Sequence, residues 1–540
     1  MKFLRQSLKL ATLLMPFSSA VFWYLAIINI ISNCATVVYS HGWFAILCMV
    51  TLGFITAYIE TAFYLILRWK PVQIVYLIAL AIVYNIHIIT EYFNVLNFQT
   101  TFKVDIIEIL AETNTIEIQN FADTYLQPGT IGLWTAVILM FNALTVWLSI
   151  LLKKKCPVRI PLLLSLAGIV IVGIFLFSSV FFYNGMGITD HSSRSRFGYA
   201  FYMWRQKLQS IETVRLICKN TKAEKVIPES PDIILILGES ASIYHSQLYG
   251  YDKPTTPLMQ KRKDDGELLV FSDVISPGDA TSKTMYAIYP LKNVDDSPLF
   301  PACFKAAGYH TVMYNNQYFV NNGMNFLCDP ELSDILFEYR NAGRFRYDME
   351  MVNTIQLQSA PTLYIIHLFG QHYLYKERYP EEFRTFTADD YDKERWTEGQ
   401  RDVIAHYDNA TVYNDYVLNS IIDKFKDKDC CIIYISDHGE EVYDIRDFVG
   451  HGSAPHSPDI SYQVRVPMFV WFSPTFSRPD VADHLKELTD KPLITSFIPH
   501  TLLDLAGIRT EHFDATRSIV NSQYDGNRHR ITVDDIDFDK

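Results

Sequence analysis

Two kinds of hydrophobic pattern divide this chain near residue 185. Before that point, five apolar segments each reach the length of about 20 residues that a bilayer span requires. They are Phe17–Val38, Trp43–Leu67, Val72–Tyr92, Ile131–Leu152 and Ile160–Tyr183. After it, short β-branched runs alternate with amphipathic stretches. The pattern therefore predicts a five-helix transmembrane domain over residues 1–185, followed by an α/β domain.

Six apolar runs of strand length predict the sheet of the second domain. They are Ile233–Leu237, Leu268–Phe271, Thr311–Tyr314, Leu363–Leu368, Cys431–Ser436 and Met468–Phe472. Amphipathic stretches between them, such as Asn409–Phe425, predict helices. Strands that alternate with helices in this way form a mostly parallel sheet, with helices covering both faces.

Three further segments connect or flank these domains. The loop over 93–130 has apolar residues at helical spacing beside acids, which predicts an amphipathic helix at the membrane surface. Residues 186–229 combine aromatic and basic side chains, and this favours an interfacial linker, with a plain connecting helix as the alternative. The α/β domain then occupies 230–520, and 521–540 form an acidic tail that we expect to be mobile.

Basic residues determine the predicted orientation in the membrane. They lie in three clusters: Lys2, Arg5 and Lys9 before the first segment, Arg68 and Lys70 between the second and third, and Lys153, Lys154, Lys155 and Arg159 between the fourth and fifth. With five spans all three clusters fall on one side, which the positive-inside rule makes cytoplasmic. The N-terminus of this multi-pass chain is then cytoplasmic, and everything after Tyr183 lies outside.

Composition adds three constraints. The net charge is −12, and its acidity falls mostly in the second half, so nucleic acid is not an expected partner. Five of the eight cysteines lie in the exported part, so at least one stays unpaired, and Cys303 with Cys328 is one pairing among several. Glu60, inside the second apolar segment, is either a functional residue or a hydrogen-bonding residue of the bundle.

Acids and histidines follow the predicted strands. Glu239 comes after Ile233–Leu237, and Asp437 and His438 come after Cys431–Ser436. Because chemistry in open α/β sheets occurs at the carboxyl ends of strands, we expect these side chains to meet in a metal site. His367, His372 and His451 add imidazoles near other strand ends, and this recurrence favours zinc over magnesium.

The turn Ser276-Pro277-Gly278-Asp279-Ala280-Thr281-Ser282 follows the second predicted strand and predicts the start of a helix. A helix N-terminus favours a phosphate or an attacking alkoxide. A threonine at such a turn is often only a cap, but metal coordination would lower the pKa of its hydroxyl and make it a nucleophile.

Several motifs in this chain resemble the phosphoethanolamine transferases of Gram-negative inner membranes, which belong to the alkaline phosphatase/sulfatase superfamily and include lipid A modifying and colistin-resistance enzymes. The motifs are Leu237-Gly238-Glu239-Ser240, Leu248-Tyr249-Gly250-Tyr251, Thr255-Thr256-Pro257, Ser436-Asp437-His438-Gly439-Glu440, His451-Gly452, Ala454-Pro455, Gln463, Val466-Pro467 and Thr501-Leu502-Leu503-Asp504. The resemblance covers nearly the whole chain. It implies an inner-membrane enzyme with a sulfatase-like periplasmic domain.

The resemblance also implies roles for individual residues. The ligands of one tightly bound zinc ion match Glu239, Thr281, Asp437 and His438, with Thr281 as the nucleophile. Histidines that bind substrate or a second, weaker zinc match His372 and His451, and the acid after the Asp-His pair matches Glu440. The family's phosphate-binding amides match Asn316 and Gln317, and its lipid-headgroup contacts in the outer loop match Thr113 and Glu117.

The chain departs from the family pattern at two places. The family's Cys-Gly-Thr-x-Thr turn is replaced by Pro277-Gly278-Asp279-Ala280-Thr281, so one expected disulfide is missing, and Ser282 and Thr284 stay alternatives to Thr281. No lysine follows Asn316-Gln317 where the family has one.

The expected activity is transfer of phosphoethanolamine from phosphatidylethanolamine to lipid A or another envelope glycan, by a monomer that contacts membrane lipids. Polymyxin binding would fall if lipid A is the acceptor. A membrane-anchored glycerophosphotransferase and a sulfatase- or phosphodiesterase-type hydrolase are the alternatives. Ser276-Pro277-Gly278-Asp279 does not fit the formylglycine motif of sulfatases.

Overall fold

The computed structural model describes residues 19–34, 43–67, 69–98, 101–104, 106–107, 128–155, 193–292, 296–317, 334–341, 345–452 and 458–540. They form two compact units that divide between Arg205 and Gln206. The predicted fifth span, the outer-loop residues Thr113 and Glu117, and Cys328 lie outside the described residues. The predictions for them, including the Cys303–Cys328 pairing, stay predictions.

The described part of the first unit is helical. Its apolar helices are α1 (Ala20–Cys34), α2 (Trp43–Ile66), α3 (Lys70–Phe98) and α4 (Pro128–Lys155), and it also contains the beginning of the more polar α5 (Ser193–Lys219), which continues into the second unit. The segments Met49–Ile66, Lys70–Asn97 and Pro128–Lys153 are long and apolar enough to cross a membrane, whereas α1 is a shorter apolar helix. These three segments coincide with the second, third and fourth predicted spans, and the total of five spans stays a prediction.

Two acids inside this first unit are paired with arginines of α5. Glu60 accepts a hydrogen bond from the Tyr84 hydroxyl at 2.7 Å and forms an ion pair with Arg194 at 2.7 Å. Glu91 forms an ion pair with Arg196 at 2.7 Å. Buried charges in apolar surroundings are tolerated when they are paired and hydrogen-bonded. These contacts agree with a hydrogen-bonding role for Glu60 within the bundle.

The second unit alternates strands and helices. Its strands are β1 (Glu224–Lys225), β2 (Asp232–Gly238), β3 (Leu268–Phe271), β4 (Val274–Ile275), β5 (His310–Asn315), β6 (Glu338–Asn341), β7 (Thr362–His367), β8 (Cys430–Ser436), β9 (Glu441–Val442), β10 (Val449–Gly450), β11 (Met468–Phe472), β12 (Leu493–Ile494) and β13 (Ile508–Arg509). Its helices after α5 are α6 (Pro257–Asp264), α7 (Thr281–Ile288), α8 (Phe300–Ala306), α9 (Asp348–Thr354), α10 (Glu398–Phe425), α11 (Ser461–Val464), α12 (Pro479–Lys486) and α13 (Ile498–Leu505).

Seven of these strands form one mixed sheet, in the order β3-β11-β8-β2-β7-β5-β6. Neighbours from β8 to β6 are parallel, whereas β11 is antiparallel to both β3 and β8. All six predicted strands lie in this sheet, and the α/β class is confirmed. The prediction of a mostly parallel sheet holds from β8 to β6 and is corrected at β11, which runs the opposite way.

Apolar side chains cover both faces of the sheet, because residues of a strand alternate between faces. Ile233, Leu235 and Leu237 of β2 belong to one buried cluster, together with residues of α7, α8 and α13. Ile234 and Ile236 belong to a second cluster on the other face, together with residues of α10. Burying one such side chain contributes about 1.5–3 kcal/mol, so the two clusters hold the strand ends firmly in place.

The acidic tail lies against the second unit. The Val533 amide donates to the Pro277 carbonyl at 2.8 Å. Arg530 binds both Asp273, at 2.8 Å, and Asp539, at 2.6 Å. These contacts hold the tail against the domain, whereas the sequence predicted a mobile tail. The acids that suggested a solvated segment have cationic partners within the domain.

Candidate active site

Three candidate ligands follow two neighbouring parallel strands. Glu239 follows β2, and Asp437 and His438 follow β8. Gly238 is paired with Ser436, so the two strands end at the same level. All three side chains are fully buried. The sheet therefore brings together the residues that the sequence placed at separate strand ends.

Local hydrogen bonds fix the orientation of these side chains. Asp437 Oδ1 accepts the Ser240 and His438 amides at 3.1 and 2.8 Å. The Ser240 hydroxyl donates to Glu239 Oε1 at 2.8 Å. His438 Nδ1 donates to the Gly439 carbonyl at 2.9 Å, which leaves the Nε2 lone pair directed at the carboxylates.

Helix α7 brings the candidate nucleophile to the same place. It begins at Thr281 and follows Ala280, whose side chain cannot cap the helix. Thr281 Oγ1 donates to Glu239 Oε2 at 3.1 Å and lies 3.4 Å from His438 Nε2. Thr284, one of the two alternatives, is buried and donates its hydroxyl to the Gly278 carbonyl instead.

The spacing of these donor atoms fits a zinc ion. His438 Nε2 lies 3.2 Å from Asp437 Oδ2 and 3.4 Å from Glu239 Oε1, and the two Thr281 distances fall in the same range. Tetrahedral zinc with ligands at about 2.0–2.1 Å separates its ligand atoms by about 3.3 Å. Moreover, Asp437 Oδ2 is buried and accepts no hydrogen bond from the described residues. A buried oxygen without a hydrogen bond has a lone pair that can bind a cation.

The electrostatics of the site also favour a bound cation. Burial and the nearby charge of Glu239 raise the pKa of Asp437 to about 7. Burial opposes the charged form of Glu239, but the hydrogen bond and charge of His438 hold its pKa below the usual range. Burial also opposes the charged imidazole of His438, yet Asp437 and Glu239 raise its pKa to about 10. These three buried side chains together stabilise a positive charge, and such an arrangement suits a divalent metal.

A second group of donors adjoins the first. His451 Nδ1 lies 2.6 Å from Glu440 Oε2, and the Tyr375 hydroxyl donates to the other oxygen of Glu440. The rings of His451 and His438 are 4.0 Å apart. Glu440, His451 and His438 therefore form a second cluster with metal-ligand spacing. The sequence did not predict the contact between Tyr375 and Glu440, because no pattern links these two positions.

His372 is placed differently from His451. Its ring stacks on Phe369 at 5.1 Å, and burial lowers its pKa to about 4. It therefore carries a neutral imidazole near pH 7. Among the described residues, it belongs to neither metal-ligand cluster.

The two predicted phosphate-binding amides have different surroundings. Gln317 Nε2 donates to Glu239 Oε2 at 3.0 Å, at the site itself, and to the Leu368 carbonyl at 2.7 Å. Asn316 instead donates to Asp348 at 2.8 Å and accepts the Phe345 amide at 2.6 Å. Its amide is therefore committed to holding the neighbouring loops.

Asp348 is a positioning residue that the sequence did not reveal. It is buried and accepts the Phe369 and Gly370 amides at 2.8 and 2.9 Å. Gly370 has φ +49, and a Cβ there would lie 2.8 Å from the Glu239 carbonyl oxygen. The loop therefore packs directly on the backbone of a candidate ligand. An acid after Tyr347 at a helix start looks like an ordinary capping residue, so no local signal marks it.

A lysine of α7 pairs with two acids, one before the helix and one in the tail. Lys283 lies two residues after Thr281 on α7. It contacts Asp279 at 2.9 Å and Asp534 of the tail at 3.0 Å. These ion pairs tie the first turn of α7 to both its preceding loop and the tail.

The chain belongs to the sulfatase family, whose profile matches residues 231–508. Its relatives are phosphoethanolamine transferases, as the sequence motifs predicted. It is 29% identical over 352 residues to phosphoethanolamine transferase EptC of Escherichia coli, with 60% of each chain covered. It is 28% identical over 313 residues to Kdo(2)-lipid A phosphoethanolamine 7''-transferase of Salmonella typhimurium, with 53% of each covered. The chain thus spans about three fifths or less of these relatives' length.

Two solved structures are similar to this chain. The zinc complex of the C-terminal periplasmic domain of E. coli EptC is 27% identical, with a TM-score of 0.51, and the match covers 58% of this chain and 92% of that domain. The integral membrane lipooligosaccharide phosphoethanolamine transferase A of Neisseria meningitidis is 18% identical, with a TM-score of 0.62, and the match covers 93% of this chain and 98% of that one. The second similarity shows that the fold extends over nearly the whole chain.

Proposed function

We propose that this protein transfers phosphoethanolamine from phosphatidylethanolamine to lipid A or another envelope glycan. The observation that carries the proposal is the Thr281 hydroxyl, 3.1 Å from Glu239 within a buried donor set that fits zinc. The relatives named for phosphoethanolamine transfer, one of them to Kdo(2)-lipid A, support the choice of transferred group and acceptor.

Glu239, Asp437 and His438, together with Thr281, would hold one zinc ion tightly. Zinc supplies a lowered pKa for a bound hydroxyl and Lewis-acid polarisation of the phosphoryl group. A second, weaker site would use His451 with Glu440. His372, which the sequence grouped with His451, lies instead beside Phe369 and would contact substrate.

The chemistry proceeds through Thr281 in two displacements. Thr281 Oγ1 gives its proton to His451 Nε2 and attacks the donor phosphorus, so that the Thr281–phosphorus bond forms and the bond to diacylglycerol breaks. His451, oriented through Nδ1 by Glu440, gives the proton to the departing diacylglycerol oxygen through Nε2. An acceptor hydroxyl or phosphate then attacks the phosphothreonine, His451 removes the acceptor's proton where there is one, and the Thr281 oxygen leaves. Gln317 would bind a phosphoryl oxygen in exchange for its present hydrogen bond to Glu239.

The same proposal includes the location of the protein. The basic clusters predict an inner-membrane protein with a cytoplasmic N-terminus and the sulfatase-family domain in the periplasm. Phosphatidylethanolamine, lipid A and membrane lipids would then be within reach of Thr281. Thr113 and Glu117 would contact the lipid headgroup, and the protein would act as a monomer. Modification of lipid A would lower polymyxin binding, because phosphoethanolamine adds a positive charge.

Substitution of the nucleophile tests the proposal. Thr281→Ala should form no phosphoethanolamine adduct and modify no acceptor, whereas Thr281→Ser should keep partial activity. Peptide mass spectrometry locates the adduct, and mass spectrometry of lipid A and envelope glycans, from cells with and without the gene, identifies the acceptor. Transfer by Thr281→Ala, or an adduct on Ser282 or Thr284, would refute the assignment of Thr281.

Water is the competing acceptor, because the family match is to sulfatases. A hydrolase would release phosphoethanolamine into solution, whereas a transferase leaves it bound to the acceptor. A glycerophosphotransferase would instead leave glycerophosphate on Thr281. The mass of the Thr281 adduct and the fate of the released group distinguish the three.

A further inference from the structure

A cleft of about 250 Å³ lies beside the helix that carries Thr281. Its lining includes Pro277 before α7, Tyr286 on α7, Lys292, Arg517, and the tail residues Thr532 and Val533. Tyr286 lies five residues after Thr281, so it is about 8 Å further along the helix and about 140° around it. The cleft is therefore close to the candidate active site without sharing any of its metal-ligating residues.

The cleft has an excess of positive charge. Lys292 and Arg517 line it, and Arg528 approaches Arg517 across the Phe497 ring. The two guanidinium carbons lie 5.3 and 5.5 Å from the centre of that ring. Burial, together with repulsion from Arg528, lowers the pKa of Arg517. Guanidinium and ammonium groups that line the same cleft attract an anion.

The neighbouring acids balance this charge poorly. Asp514 Oδ2 lies 3.4 Å from Arg517 Nε, and Asp525 lies 3.9 Å from Arg528. Moreover, Arg517 Nε is buried and donates no hydrogen bond to a described residue. Such a donor gains from an oxygen ligand, because a buried polar group without a hydrogen bond is destabilising.

The tail forms one wall of the cleft. The Val533 amide binds the Pro277 carbonyl at 2.8 Å, and Asp534 pairs with Lys283 of α7 at 3.0 Å. Both contacts join the tail to the turn and helix that position Thr281. The cleft therefore has a fixed geometry relative to the nucleophile.

We infer that this cleft binds an anionic phosphate or carboxylate group of the acceptor glycan while the acceptor's reacting oxygen lies at Thr281. The inference rests on the proposed function. Guanidinium and ammonium groups together provide the hydrogen bonds that phosphate and carboxylate oxygens accept. Because the cleft lies about 8 Å along α7 and on a different side of it from Thr281, an extended phosphorylated oligosaccharide that passes around the helix would occupy both places.

The first test counts bound inorganic phosphate and needs no enzymatic activity. The full-length protein with Lys292→Glu and Arg517→Gln is compared with the wild type by calorimetric titration. The matched control is Lys486→Gln, which removes an exposed lysine of α12 outside the cleft. The wild type and the control should bind one more phosphate per chain than the double variant. Equal numbers would overturn the anion site. If Arg517→Gln reduces folding, Lys292→Glu alone, at an exposed position, serves for the comparison.

The second test distinguishes the acceptor from the donor lipid as the source of the anion. Diacylglycerol release from phosphatidylethanolamine reports the first displacement, and acceptor modification reports the second. In the double variant, acceptor modification at low acceptor concentration should fall at least tenfold relative to diacylglycerol release. An equal fall in both would assign the anion to the donor and overturn the inference, as would no change in either. Absence of diacylglycerol release from the wild type would refute the proposed function instead, and the phosphate count would still decide the anion site.

Discussion

Gly370→Ala should remove most of the zinc and activity, because an added Cβ meets the backbone of Glu239. Gly370 has φ +49, and its Cβ would lie 2.8 Å from the Glu239 carbonyl oxygen and 3.0 Å from its amide nitrogen. A left-handed conformation costs an alanine about 1–2 kcal/mol. The contact also forces the two backbones apart and weakens the 3.0 Å hydrogen bond from the Gln371 amide to the Glu239 carbonyl, which adds about 1 kcal/mol.

Two other glycines allow the cost of the left-handed backbone and the cost of the steric contact to be measured separately. Gly308 also has a left-handed conformation, φ +88, but a Cβ there meets nothing within 4 Å. Gly399 lies in α10 with equally open surroundings and an ordinary φ. Gly308→Ala should therefore cost about 1–2 kcal/mol of unfolding free energy. Gly399→Ala should gain up to about 1 kcal/mol. Gly370→Ala should cost about 2–3 kcal/mol.

The decisive assay combines metal analysis with diacylglycerol release from phosphatidylethanolamine. Displacing a catalytic group by about 1 Å lowers rates by about a hundredfold, so Gly370→Ala should lose activity on that scale. Gly308→Ala and Gly399→Ala should keep both zinc and activity. If Gly370→Ala retains as much zinc and activity as Gly308→Ala, the loop does not position Glu239 and the reasoning is refuted.

Two further predictions concern histidines. His438→Ala should lose most of the zinc measured by metal analysis, because His438 Nε2 faces both carboxylates. The control His529→Ala, at an exposed site, should keep its zinc. Stoichiometric zinc in His438→Ala would contradict the ligand assignment. His500 donates from Nε2 to the Leu291 carbonyl and accepts the Asp514 amide at Nδ1, and burial lowers its pKa to about 4. Its unfolded pKa is near 6.5, so this stabilisation is present above pH 6.5 and is lost as pH falls towards 4, by about 3 kcal/mol in all. Chemical unfolding across that range should show a smaller loss for His500→Gln than for the wild type or His529→Gln, and an equal loss would contradict it.

The strand-end residues could be predicted because their signals are local. An apolar run followed by an acid predicts a strand and its exposed tip, and parallel neighbours then bring the tips of β2 and β8 together. The edge strand β6 has the polar sequence Glu338-Tyr339-Arg340-Asn341, which lacks the apolar alternation of a strand. Helix α10 begins at Glu398, well before the predicted Asn409, after a capping box of Thr397 and Gln400 that the apolar pattern alone does not include.

The supporting contacts of the site could not be predicted, because they join distant parts of the chain. Tyr375 reaches Glu440, and Lys283 reaches Asp534, with no local pattern linking either pair. The tail was expected to be mobile from its acids alone, and its cationic partners became evident only in the folded domain. The reversal of β11 likewise could not be predicted, since β11 has the same apolar character as the parallel strands β2, β7 and β8.

Ala280 leaves the first turn of α7, where the proposed nucleophile Thr281 lies, without a capping side chain. Serine, aspartate or asparagine before α7 would stabilise the helix by about 0.5–2 kcal/mol relative to alanine. Such a side chain would also occupy amides of the first turn, where a phosphoryl group on Thr281 would need hydrogen-bond donors. With alanine at this position, no side chain from residue 280 competes for them. A substitution chosen only to raise thermal stability, such as Ala280→Ser, would therefore work against turnover.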